Sequence, residues 1–169
     1  LGVGAGGFGI LMSSLGIGSL TGALSIAFIG RLPAWHLVLG TALALGALEL
    51  LLAFGVSLFP IVILMMILAG LGFSMTTTSA MANTRIQSIA PDPLRGRVMS
   101  VYTTVFTGAS PFGALLISGV AAGIGTPGSL AVGGAATVGS VAVIAVLGHL
   151  AGVPIAPRLG RSSVPEPGD

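Results

Sequence analysis

The chain has no cysteine, one tryptophan, one tyrosine and four acidic residues among 169 positions, and its six basic residues are all arginine. The missing cysteines exclude a disulfide framework, thiol catalysis and any zinc site built on sulfur. Charged residues amount to 6% of the chain, against roughly 25% in an average soluble domain, so a water-facing surface cannot be made from it. The pI near 10.6 rests on a net charge of +2, carried by arginines that stand singly or in pairs. A phosphate-binding face needs clustered cations, so no nucleic-acid partner is expected.

Apolar length is what the chain has in abundance. Crossing the hydrocarbon core takes about 20 apolar residues as a helix, and five segments meet that requirement: about 7–30, 36–54, 60–81, 98–124 and 129–151. The expected fold is all-α, a polytopic bundle of five transmembrane helices over residues 1–152 with the lipid bilayer as its solvent. Residues 153–169, with Pro154, Pro157, Pro165 and Pro167, read as a disordered cytoplasmic tail. The start at Leu1, without methionine, basic n-region or cleavage site, reads as an internal one.

The arginines orient the bundle. Arg31 follows the first span, Arg85, Arg95 and Arg97 follow the third, and Arg158 and Arg161 follow the fifth, while the junctions after the second and fourth spans carry no charge. The positive-inside rule then puts the N-terminus outside and the C-terminus in the cytoplasm. Gly125-Thr126-Pro127-Gly128 reads as an outer turn. In the inner loop Asp92 is expected to cap a helix whose first position is Pro93. Trp35 and Tyr102 fall near the inner interface, where amphipathic rings collect.

Small residues predict how the spans associate, because helices in lipid gain from close backbone approach. Gly18 and Gly22 on the first span, and Gly119 and Gly123 on the fourth, both have the G-x-x-x-G spacing. Pro111 inside the fourth span removes a backbone hydrogen bond and is expected to kink the helix.

Polar residues inside the spans are the candidate functional groups. Glu49 is the one charge within a span, and an acid there marks a proton site, an ion site or a hydrogen-bonded structural group. The third span ends in a polar run in which Thr76, Asn83 and Gln87 share one helical stripe, extended by Gly72. Such a stripe either lines a solute cavity or joins helices through hydroxyl bonds. Asp92, Arg95 and Arg97 form a charge cluster at the mouth of the fourth span, a candidate inner-loop gate or an interfacial anchor. No enzyme chemistry, cofactor or metal site is expected: there is no acid pair, no nucleophile with a base and no phosphate loop, and His36 and His149 fall near helix ends.

From Gln87-Ser88-Ile89-Ala90-Pro91-Asp92-Pro93-Leu94 to Arg95-Gly96-Arg97-Val98-Met99-Ser100 the chain resembles the major facilitator superfamily, in its enterobactin-exporter-like branch. Ser110-Pro111-Phe112-Gly113 is similar to the proline-glycine step of that family's eleventh span, and the run from Gly9 through Gly18 to Gly22 looks like its eighth. The resemblance implies that the five helices are spans eight to twelve, the C-terminal half of a transporter, with a missing N-terminal half as partner. It implies that the third helix lines the cavity, that the first and fourth meet the other half, and that the second and fifth are peripheral supports.

The implied activity is proton-coupled export of a small-molecule substrate, a siderophore or an amphipathic drug, by alternating access in a bacterial inner membrane. A truncated, non-transporting fragment or a membrane scaffold would carry the same composition and stays open at this point.

Overall fold

A computed structural model describes residues 4–29 and 34–150. Arg31, Arg158, Arg161 and the expected tail 153–169 lie outside the described residues. Within them the chain forms four helices, α1 (Gly4–Ile29), α2 (Trp35–Gly55), α3 (Ile61–Ile89) and α4 (Arg95–Leu150). Each is long and apolar enough to cross a membrane. Large apolar side chains such as Phe8, Phe28, Phe54 and Met66 point outward, as lipid-facing residues do.

The 56 residues of α4 would measure roughly 84 Å as one straight helix at 1.5 Å per residue, against a hydrocarbon core of about 30 Å. It is folded in two. Helical backbone angles fail at Gly125, where φ is 79° and ψ is 170°, a left-handed φ that a side chain resists. The side chain of Ile117 comes within 3.8 Å of where a Cβ on Gly133 would stand, so the arms 95–124 and 126–150 lie against each other. The expected four-residue turn is thus a single glycine, and Pro127 joins the first turn of the second arm, where its missing N–H costs nothing. The helix continues through Pro111.

Two further boundaries depart from the sequence expectation. The third helix was expected to end near residue 81 but runs to Ile89, because its polar residues satisfy themselves along the helix. Thr84 Oγ1 donates to the Ala80 carbonyl at 2.9 Å and Gln87 Nε2 to Asn83 Oδ1 at 2.9 Å. The chain turns extended at Ala90, before Pro91. The next helix starts at Arg95, after a turn closed by Leu94 N–H on the Pro91 carbonyl at 2.9 Å. Asp92 therefore does not cap a helix at Pro93, and its carboxylate pairs with Arg95 instead.

Packing follows the glycines and gives each pair a direction. A Cβ at Gly18 would overlap the Ala69 backbone, and one at Gly22 would stand 2.9 Å from the Phe73 carbonyl oxygen. Four residues along α1 correspond to four along α3, so these helices run parallel. In contrast, Trp35 meets Arg85, Thr41 meets Thr78 and Leu48 meets Gly70: α2 rises as α3 descends. The backbones of Gly46 and Gly134 touch, as do Leu50 and Gly134, and α2 packs on the second arm of α4. Helix α3 is the hub, with Leu64, Ile67, Leu71 and Thr77 buried between its neighbours. The alternation of directions is that of a chain crossing a bilayer repeatedly.

Candidate functional site

The parallel pair α1 and α3 leaves a groove of about 510 Å³ beside its glycine seam. Helix α1 contributes Leu15 and Ser19; α3 contributes Met75, Thr76, Ser79 and Asn83. Close approach at Gly18, Gly22 and Gly72 sets the width, because Gly72 packs on the Leu15 carbonyl and Ser19. The polar run on α3 divides between two tasks. Thr77, almost fully buried, turns its hydroxyl back to the Phe73 carbonyl at 2.7 Å, and Thr78 donates to Thr41 Oγ1 across the α2 contact at 2.9 Å. Thr76, Ser79 and Asn83 line the groove instead, together with Ser19 of α1, where hydroxyls and an amide can both donate and accept.

Toward the N-terminal ends of the same two helices lies an apolar groove of about 300 Å³, formed by Ile17, Val62, Met65 and Met66 among others. Methionine there is soft and adaptable in shape. The first groove mixes polar groups with Leu15, Met75 and Ala80, whereas the second is almost wholly apolar.

Of the stripe marked in the sequence, Thr76 and Asn83 reach the groove. Gly72 is spent in the helix seam, and Gln87 is exposed a turn beyond Asn83, holding its amide. Ser19 and Ser79 are groove residues the stripe did not include. Ser79 could have been found, since it stands three residues after Thr76 and four before Asn83. Ser19 had no such signal, because its role depends on which helix faces α3.

The arginine-bearing end is organised by local bonds. Arg95 pairs with Asp92 at 2.6 Å, with both side chains substantially exposed, and its Nε donates to the Gln87 carbonyl at 3.2 Å. Arg97 is exposed, and its carbonyl accepts the Ser100 hydroxyl at 2.9 Å. The Arg85 guanidinium lies 5.0 Å from the centre of the Trp35 ring, a cation–π contact joining α3 to the start of α2.

Glu49 and Pro111 stand apart from the groove. Glu49 projects from α2 toward the second arm of α4, near Gly133 and Thr137, and its Oε2 is buried with no hydrogen-bond partner among the described residues. Pro111 sits on the first arm of α4, where Val105, Phe106, Phe112 and Leu115 are largely exposed. The spacing pair Gly119 and Gly123 on that arm meets open space, so the seam expected there has no partner among the described residues.

A bundle of long apolar helices, with a groove between two of them that carries several polar groups, suits a membrane transporter. The chain belongs to the transmembrane secretion effector family, of major-facilitator type, which it matches over residues 1–159. It is a family of transporters, not of enzymes, and the chain is an integral membrane protein. The chain is also similar to the multidrug efflux pump Tap of Mycolicibacterium fortuitum, with 32% identity over 109 residues, or 64% of this chain. That stretch covers 26% of the pump, so the chain spans about a quarter of the relative it matches. No solved structure matches it.

Proposed function

We propose that the chain forms part of the C-terminal half of a proton-coupled exporter that moves amphipathic small molecules by alternating access, with Thr76 and Asn83 facing the solute. The observation that carries this reading is the groove between α1 and α3, which sets the polar groups of Ser19, Thr76, Ser79 and Asn83 among the apolar side chains of Leu15, Met75 and Ala80. A solute with a polar head and a lipophilic body fits such a surface; a compact ion does not need it. In alternating access one bundle rocks against another around a central site, and the exposed first arm of α4 leaves a face for an N-terminal half.

The relative named as a multidrug efflux pump supports drugs as cargo. The likeness of residues 87–100 to the enterobactin-exporter branch supports siderophores. Asp92, Arg95 and Arg97 are the proposed gate contacts, Pro111 the proposed flexible point of the α4 first arm, and Glu49 the proposed coupling acid. The location that goes with this reading is a bacterial inner membrane with the arginine-bearing ends in the cytoplasm.

The test is accumulation of ethidium and a panel of siderophores in cells with and without the full-length gene. Lower accumulation that reverses when the proton gradient is collapsed is the expected result. Equal accumulation of every compound would reject the reading.

A further inference from the structure

Glu49 lies in a different seam from the solute groove. Its carboxyl enters the contact between α2 and the folded α4, where Oε2 stands 3.7 Å from the Cβ position of Gly133 and Ile117 Cδ1 stands 3.8 Å from that same point. The Thr137 hydroxyl lies beside it, but that hydroxyl already donates its proton to the Gly133 carbonyl at 3.0 Å. Toward Glu49 it therefore offers lone pairs. An ionised carboxylate is an acceptor only, whereas a protonated one carries a donor, so while Thr137 holds the Gly133 carbonyl it can bond Glu49 only when the acid has its proton. Oε2 has no hydrogen-bond partner of either kind among the described residues, so nothing there compensates a charge on it.

No other charge faces this point among the described residues. On α2 itself His36 is thirteen residues away, and Arg85 of α3 is at the level of Trp35, roughly 20 Å along the bundle at 1.5 Å per residue. On α4, Arg95, Arg97, Tyr102 and His149 all belong to the far ends of the two arms, with His149 twelve residues beyond Thr137.

We propose that Glu49, with Thr137 and Gly133, is a proton-binding site in the α2–α4 seam, separate from the solute groove, and that its proton is the one exchanged during export. The proposal rests on the exporter reading for its second part only. Binding forms one O–H bond on the carboxylate and release breaks it, with water on either side as source and sink. Loss of the proton sets two acceptors against each other, so the Thr137 hydroxyl must leave the Gly133 carbonyl or the seam must open to water. Leu48, next to Glu49, carries that movement to α3, where its Cδ1 lies 3.0 Å from the Cβ position of Gly70. Two residues on, Gly72 packs on Leu15 and Ser19 of the groove wall.

The test uses the full-length protein in liposomes and dicyclohexylcarbodiimide, an apolar reagent that adds to protonated carboxyls, the acid proton passing to a carbodiimide nitrogen as the oxygen bonds to carbon. Mass spectrometry is expected to find the adduct on Glu49. Glu49→Gln, whose amide still donates to Thr137, is expected to retain ethidium binding and lose ethidium export driven by a pH gradient. An unlabelled Glu49 overturns the proposal, as does a Glu49→Gln protein that exports with unchanged response to the gradient or that no longer binds ethidium. If the unsubstituted protein exports nothing, the exporter reading fails by itself, and the adduct then decides the proton site: present, it stands; missing, it falls.

Discussion

Gly18 of α1 lies so close to Ala69 of α3 that one methyl group added at residue 18 would overlap the Ala69 carbonyl. The neighbour is backbone and cannot swing aside, so the two helices would have to separate. Because the same pair forms the groove walls, the contact sets both stability and the shape of the candidate site. Gly18→Ala is expected to destabilise the protein by roughly 1–3 kcal/mol, the usual cost of overpacking. Gly139→Ala, which meets nothing within 4 Å, is expected to cause no loss. Thermal unfolding in detergent compares the two.

The Thr78 to Thr41 hydrogen bond, 2.9 Å long, ties α3 to α2. Interhelical bonds in membrane proteins are worth about 0.6 kcal/mol on average, so Thr78→Val is expected to cost about that much, and Thr41→Val combined with it little more. A double-mutant cycle on denaturation measures the coupling.

Asp92 and Arg95 are exposed, and exposed ion pairs contribute about 0–1 kcal/mol. Arg95 also keeps its bond to the Gln87 carbonyl. Asp92→Asn is therefore expected to leave the unfolding temperature nearly unchanged while altering export if this loop changes partners during the cycle. Unfolding and ethidium efflux, measured on one preparation, separate the two effects.

Much of the fold was legible because bilayer thickness imposes length. The apolar runs marked the helices, and the α4 break falls at Gly125, the first residue of the expected turn. Pairing was not legible. Gly18–Gly22 and Gly119–Gly123 have the same spacing, yet one pair meets Ala69 and Phe73 and the other meets open space, since spacing says nothing about what stands opposite. Bilayer thickness marks only the apolar part of α3, about 60–81, whereas the helix itself runs on to Ile89, with Thr84 and Gln87 bonded along it. In the site, helical phase found Thr76 and Asn83, but Ser19 comes from another helix. The isolation of Glu49 was visible in the sequence; its neighbours Gly133 and Thr137, more than eighty residues away, were not.

The solute path proposed for this protein is the α1–α3 groove. The chain has no cysteine, so in a protein cleared of other thiols a single substitution gives a single target for a water-soluble thiol reagent. Asn83→Cys and Thr76→Cys are expected to react, and ethidium to slow both reactions, whereas buried Thr77→Cys stays unreactive. Asn83→Cys that does not react, or reacts at one rate with and without ethidium, would show that the groove is not a solute path.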